Sequence, residues 1–382
     1  MYLRGPGPVA GTERSSAEGK RRAVDPDRTL FRIGSITKTF TWISVMRQVE
    51  AGRMRLDAPV DAYLPPALRT GAGEVGAPIR VRDLMDHSPG FEDRIFGVLF
   101  ERNPADVRAL DAFLAQERPA RVRPPGRVSS YSNYGAALAG SAVAHTTGQA
   151  YETLIETTIT GPLGMAHTTA REPRPARAGL PAPMPAALAR DVSSPFHWTG
   201  AGYEERGFEY VGQVAPAGSI SSTAGDMARY MAMVLNGGEL DGVRIYGPVA
   251  AAAFRTPVRA TPPGLAWLHG FYEIPLGGGY TGFGHDGGTM AFFSNMTLVP
   301  PLRLGVFVST NTSPGGRFQA ELAPAIVQRF YAPPETFPPP PSPELARHPE
   351  RYAGHYLATR RAYGGLEGFL GRVAFAMDVA VT

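Results

Sequence analysis

The 382-residue chain contains no cysteine, which excludes disulfides, thiolate metal ligands and a cysteine nucleophile while leaving the redox compartment open. It also lacks any apolar run of the ~18 residues that a membrane span needs. The N-terminus, Met1-Tyr2-Leu3-Arg4-Gly5-Pro6, has no charged stretch followed by an apolar one, so no signal peptide is expected. With those ends taken as native, the expected location is cytoplasmic; a chain trimmed of a leader would be periplasmic or secreted. Charge of one sign is scarce as well: 38 Lys+Arg against 34 Asp+Glu leave +4, and the densest basic run, Lys20-Arg21-Arg22, is too short for a nucleic-acid footprint. Scarcest of all is lysine, found only at Lys20 and Lys38. Where arginine supplies nearly all fixed positive charge, a retained lysine is suited to what guanidinium cannot do, namely lose a proton near neutral pH. Lys20, in the polar stretch Glu18-Gly19-Lys20-Arg21, reads as a surface survivor.

What is present describes a folded protein: 43% hydrophobic and 19% charged residues, with 45 Gly and 37 Pro to break the chain into many turns. Short strands are expected within residues 1–33, entering a sheet. From Ser35 to Glu50 the apolar residues Ile36, Phe40, Ile43, Met46 and Val49 recur at helical spacing, and Gly52 supplies a stop. Helical spacing recurs over residues 81–85, 105–116, 134–145, 151–158 and 223–235. After residue 240 the β-branched and aromatic runs 280–283, 290–298 and 302–309 predict an antiparallel sheet, followed by a helix over 319–331. The expected fold is α+β: an antiparallel sheet flanked by helices, with an inserted mostly helical domain. Residues 1–60 and 240–331 form the sheet domain, 61–239 the helical domain, 332–345 a proline-rich linker and 346–382 an incomplete β extension. A cleft between sheet and helices is the natural place for a site. No internal repeat is present.

Three clusters carry chemistry. Gly34-Ser35-Ile36-Thr37-Lys38 puts a hydroxyl at a helix start and an amine three residues on, on one helix face. A desolvated lysine can take the serine proton, and the Ser35 N–H points where an oxyanion would form. Ser130-Tyr131-Ser132-Asn133-Tyr134 groups phenol, hydroxyl and amide; Tyr131 serves as a base only with a cation such as Lys38 beside it, and taken alone the stretch reads as a loop capping a helix. Gly284-His285-Asp286-Gly287-Gly288-Thr289 reads as a strand whose glycines admit a substrate, with the Gly288 N–H as second oxyanion donor and His285 otherwise an ordinary turn histidine.

In this order the clusters resemble the serine β-lactamase and penicillin-binding-protein superfamily, in particular its class C-like branch, which includes family VIII carboxylesterases. The stretches Asp83-Leu84-Met85-Asp86-His87-Ser88-Pro89-Gly90 and Ala217-Gly218-Ser219-Ile220-Ser221-Ser222-Thr223-Ala224-Gly225-Asp226-Met227-Ala228 look like that family too, and the resemblance spans roughly residues 25–331. It implies a β-lactamase/transpeptidase-like fold, an acylated Ser35, Lys38 and Tyr131 as coupled base, Ser35 and Gly288 as oxyanion hole, and Asn133, His285 and Gly287 as substrate-binding residues. His285 stands where lactamases have a lysine, and Asp286 where a small hydroxyl is usual; both changes favour uncharged substrates. Phe91, Phe96, Phe100, Tyr134, Phe283, Phe292 and Phe293 lie near the motifs and are candidates for an apolar acyl pocket or for plain core.

Other signals are discounted. Gly277-Gly278-Gly279-Tyr280-Thr281-Gly282 matches a dinucleotide-binding pattern without the helix that must follow, and reads as a hairpin loop. No serine has a glycine two residues before it, and the eight histidines show no zinc-binding spacing, so neither a nucleophile elbow nor a metal is expected. The expectation is a cofactor-independent serine hydrolase acting on a small-molecule ester or amide, without nucleic acid or membrane span and of open oligomeric state. Its rivals are a DD-peptidase or weak β-lactamase using the same site, and a sensor or pseudo-enzyme that is acylated without turnover.

Overall fold

The computed structural model describes residues 12–14, 21–71, 76–94, 99–259, 266–332 and 343–380. Its centre is a four-stranded antiparallel sheet in the order Leu304–Thr310, Phe293–Val299, Tyr280–Gly288, Tyr272–Gly277. The first hairpin turns through Gly277, Gly278 and Gly279, all with positive φ (81°, 59° and 80°), so the Gly-rich motif is a turn as expected. The next closes over Thr289, whose Oγ1 accepts from Phe292 N at 3.1 Å.

Both faces of the sheet are covered. On one, the helix Gly315–Phe330 packs Ala323 and Val327 against Leu276, Val299 and Val306. On the other, Phe283, Met296 and Leu298 join a large core with Phe40, Ile43 and Tyr230. That core continues into the helical part of the chain around the helix Asn133–Thr147, whose residues 133–143 are all buried. A helix apolar all round belongs at the centre of such a layer. The helix Thr37–Glu50 packs on this helix while the turn before it, Gly34–Ile36, meets the strand Tyr280–Gly288, so its first turn faces the junction.

The sequence-predicted helices are present with shifted ends: Val81–Met85, Leu110–Gln116, Asn133–Thr147, Tyr151–Ile155 with a π-helical continuation to Thr160, and Ala224–Leu235. Two expectations fail. Among the described residues, Thr12–Arg14 pairs only with Arg21–Ala23, and Phe31–Arg32 pairs with Ser221–Ser222, so no N-terminal strand joins the main sheet. The C-terminal extension is not purely β: the strands Gly354–Tyr356 and Met377–Val379 enclose the helix Gly365–Ala374. Its glycine count and aromatic spacing concealed that helix. Residues 333–342, which hold most of the proline-rich linker, lie outside the described residues.

A buried ion pair ties the two ends of this layer: Arg32 and Glu172, with side chains 1% and 2% exposed, meet at 3.3 Å. Glu172 also accepts from Val211 N and Gly212 N at 2.8 and 2.9 Å, so its remaining lone pairs are satisfied. Removing one member would strand a buried charge at a cost of about 3–5 kcal/mol. No helix among the described residues is long and apolar enough to cross a membrane.

Candidate active site

Gly34 (φ 51°) turns the chain into a short 3-10 segment, Gly34–Ile36, from which the helix Thr37–Glu50 runs on. Ile36 and Phe40 anchor this helix in the core, leaving Ser35 at the cleft and Lys38 fully buried beneath it. Lys38 Nζ lies 3.0 Å from Ser35 Oγ, 2.8 Å from Asn133 Oδ1 and 2.7 Å from the Ala217 carbonyl oxygen. Burial is the main cause that holds its ammonium well below the ordinary lysine range; the Arg360 cation adds to this, while Asp93 and Asp286 oppose it. A neutral amine has two N–H groups and one lone pair. Asn133 Oδ1 and Ala217 O can only accept, so they take the two N–H groups and leave the lone pair for the Ser35 hydroxyl.

The segment before the helix Asn133–Thr147 does two jobs. Ser132 is extended (φ −136°) and its Oγ accepts from Gly135 N at 3.0 Å, capping the helix. This places Asn133 on Lys38 and sets Tyr131 beside the same amine in the cleft wall. The expected helix cap is thus present in the same stretch that brings Asn133 and Tyr131 to Lys38. The Lys38 ammonium nitrogen is 4.7 Å from the Tyr131 ring centroid. Burial pushes the phenol far up; proximity to Ser35 pulls it back in part. The hydroxyl is buried without a partner in full hydrogen-bond geometry, so the contact with Ser35 is a near approach.

The strand Tyr280–Gly288 runs flush against the nucleophile turn. A Cβ built on Gly34 would stand 2.8 Å from Gly288 N, and one built on Gly287 would stand 2.9 Å from Ser35 N. The backbone around the Ser35 amide is thus in close contact with the backbone around the Gly288 amide at the cleft. Gly287, Gly288 and Asp286 all line the cleft.

His285 does not. It is fully buried, its ring 6.2 Å from that of Tyr131 and 5.4 Å from that of Tyr272, and its Nδ1 lies 2.5 Å from the Asp286 carbonyl oxygen. Burial pushes its imidazole down to about 4 against the pull of Asp286, so it stays neutral. The expectation that His285 meets substrate gives way to a place behind the Tyr131 phenol. Asp286 faces the cleft with its side chain 55% exposed.

The cleft has a volume of 790 Å³. Of the aromatic candidates, Phe100 and Phe293 line it, joined by Trp267 and Tyr272. Phe91, Tyr134, Phe283 and Phe292 belong to the core, and Phe96 lies outside the described residues.

Two residues were missed by sequence reasoning. His87, at φ 56°, holds its ring tilted by 31° with its centroid 4.3 Å from that of Tyr131, while its Nδ1 accepts from Ser132 N at 3.2 Å. The stretch Asp86-His87-Ser88-Pro89-Gly90 was the available signal. Arg360 lines the cleft with its guanidinium 4.6 Å from the Tyr131 centroid; nothing in its local sequence marks it.

Known proteins resemble this chain along most of its length. Penicillin-binding protein 4 of Amycolatopsis lactamdurans is 26% identical over 329 residues, covering 84% of this chain and 82% of that protein. The D-alanyl-D-alanine-carboxypeptidase/endopeptidase AmpH of Escherichia coli K12 is 27% identical over 314 residues, covering 76% and 73%. Among solved structures, SurE superimposes with a TM-score of 0.64 at 27% identity, covering 91% of this chain and 74% of that one. The D-stereospecific amidohydrolase from Streptomyces sp. shares the fold with a TM-score of 0.63 at 24% identity, covering 82% and 89%. The Beta-lactamase family matches residues 9–329, and the chain belongs to this family of serine β-lactamase and penicillin-binding-protein-like hydrolases.

Proposed function

We propose that the protein is a serine hydrolase that cleaves small carboxylic esters through an acyl-enzyme on Ser35. The observation that carries this is the donor arithmetic at Lys38: two obligate acceptors and one hydroxyl surround a buried, depressed amine. In the proposed sequence Ser35 Oγ attacks the ester carbonyl carbon as its proton passes to Lys38 Nζ. The carbonyl oxygen takes the negative charge beside the Ser35 and Gly288 amides. Collapse breaks the bond to the alkoxide, which leaves as the alcohol with the proton from Lys38, relayed by the neutral Tyr131 phenol. Water then attacks the acyl carbon, gives its proton to the same base, and releases the acid while Ser35 Oγ is reprotonated. Tyr131 is assigned a relay because burial disfavours its phenolate. Asn133 and Gly287 flank the acyl group, and Phe100, Trp267 and Phe293 supply apolar wall.

A fluorophosphonate probe should label the wild-type protein and leave Ser35→Ala unlabelled; labelling of the variant would end the assignment. Short p-nitrophenyl esters should turn over faster than a chromogenic cephalosporin. The second reading, an amide or peptide substrate, draws on the charges of Arg360 and Asp286 in the cleft and on relatives named as carboxypeptidases. Faster release from a D-amino acid p-nitroanilide than from the matching neutral ester would favour it.

A further inference from the structure

The chain beyond residue 342 returns to the cleft and is fastened there. Asp93 N donates to the Arg361 carbonyl oxygen at 3.1 Å, and Glu92 Oε2 accepts from Tyr363 N at 2.7 Å and Gly364 N at 3.4 Å. Arg123 Nη1 donates to Tyr363 Oη at 2.5 Å, and Ala362 is buried. Between these ties Arg360 Nε donates to Asp93 Oδ2 at 2.7 Å. With this arm docked, Glu92 and Asp93 are 8% and 5% exposed. Two nearly buried carboxylates need partners, and the arm supplies them. Docking therefore fixes one guanidinium against the Tyr131 ring, the same ring that Lys38 approaches.

We propose that this C-terminal arm is a working part of the active site, and that Arg360, held on the Tyr131 ring by Asp93, is its positioning residue for the catalytic base. The inference rests on the reading of Ser35 and Lys38 as nucleophile and base. Its physical content is electrostatic: a fixed cation near Lys38 disfavours a second one, so the amine stays ready to accept the Ser35 proton. The groups facing Lys38 are Ser35, Asn133, the Ala217 carbonyl and Tyr131, with His87 and His285 behind the phenol and Asp93 and Asp286 as the anions. Burial keeps both imidazoles neutral. Arg360 is thus the cation set against these two carboxylates, with a larger effect on Lys38 than either one, and Asp93 aims it.

The full chain with two lysines allows a direct test. Protein carrying [ε-13C]lysine gives one resonance each for Lys20 and Lys38, assigned with Lys20→Arg, and its pH titration reads Lys38 independently of turnover. Arg360→Gln should move the Lys38 midpoint upward by roughly one pH unit, as expected at an effective dielectric near 20 for a charge about 9 Å away, the widest separation that their distances of 4.6 and 4.7 Å to the Tyr131 centroid allow. The acidic limb of fluorophosphonate labelling of Ser35 should move with it, while Arg360→Lys should keep both near wild type. The double variant Arg360→Gln/Asp93→Asn leaves no unpaired carboxylate to unfold the loop, and should give a smaller shift of the same sign. An unmoved Lys38 midpoint in Arg360→Gln and in the double variant, or an equal shift in Arg360→Lys, overturns the proposal. Absence of Ser35 labelling in the wild type would instead overturn the hydrolase reading, leaving the lysine titration to decide the role of Arg360.

Discussion

A Cβ placed on Gly287 would stand 1.9 Å from the carbonyl oxygen of Ile33, closer than any real side chain approaches a backbone atom. The strand and the nucleophile turn are in backbone contact there. Gly287→Ala must push them apart, so we expect a lower melting temperature together with loss of Ser35 labelling. Gly288→Ala is the control, since its Cβ would meet nothing nearer than Phe293 at 3.8 Å. It should fold as wild type, and comparing thermal melts and labelling rates of the two variants checks the claim.

Lys38 has to be unprotonated to act. Activity should therefore rise with pH through a midpoint well below that of an exposed lysine, because burial disfavours the ammonium. Lys38→Arg installs a permanent charge that cannot take up the Ser35 proton, so kcat/KM should fall on the order of 10²–10⁴-fold at every pH. A pH–rate profile of ester hydrolysis for both proteins is the measurement; partial recovery of the arginine variant at high pH would contradict it.

The same depressed amine leaves a mark on stability. Between its lowered folded value and about 10.4, the unfolded chain binds a proton that the folded chain does not. Lys38 therefore makes unfolding free energy increase with pH across that window, with a slope of at most about 1.4 kcal/mol per unit. Lys38→Met removes this contribution. Urea denaturation of both proteins from pH 7 to 10 should show their difference changing in favour of the wild type as pH rises.

Because the Tyr131 hydroxyl has no full hydrogen-bond partner, Tyr131→Phe removes little that holds the fold together. Its melting temperature should stay near wild type while kcat drops on the order of 10²-fold or more. A large loss of stability with kcat preserved would show a structural phenol.

Ser35, Lys38, Tyr131 and Asn133 were legible in the sequence because their placement depends on local geometry: one helical turn for the first two and a capped helix start for the others. The hairpin at Gly277–Gly279 was legible for the same reason. His285 and Asp286 were not, because residues 282–285 are buried without a break and period-two alternation carries no information when both faces of a strand are covered. Arg360 was invisible because its partner lies 267 positions away at Asp93. The N-terminal strands were misplaced because short strands of that composition pair as well with each other as with a sheet edge.

The docking of residues 360–364 onto Glu92 and Asp93 has an evolutionary side. Two stretches some 267 positions apart have to be inherited as a matched set. A chimera that grafted a relative's tail onto the first 331 residues would leave two acids without their mates, so recombination between family members is expected to be tolerated within the catalytic body more readily than at this junction.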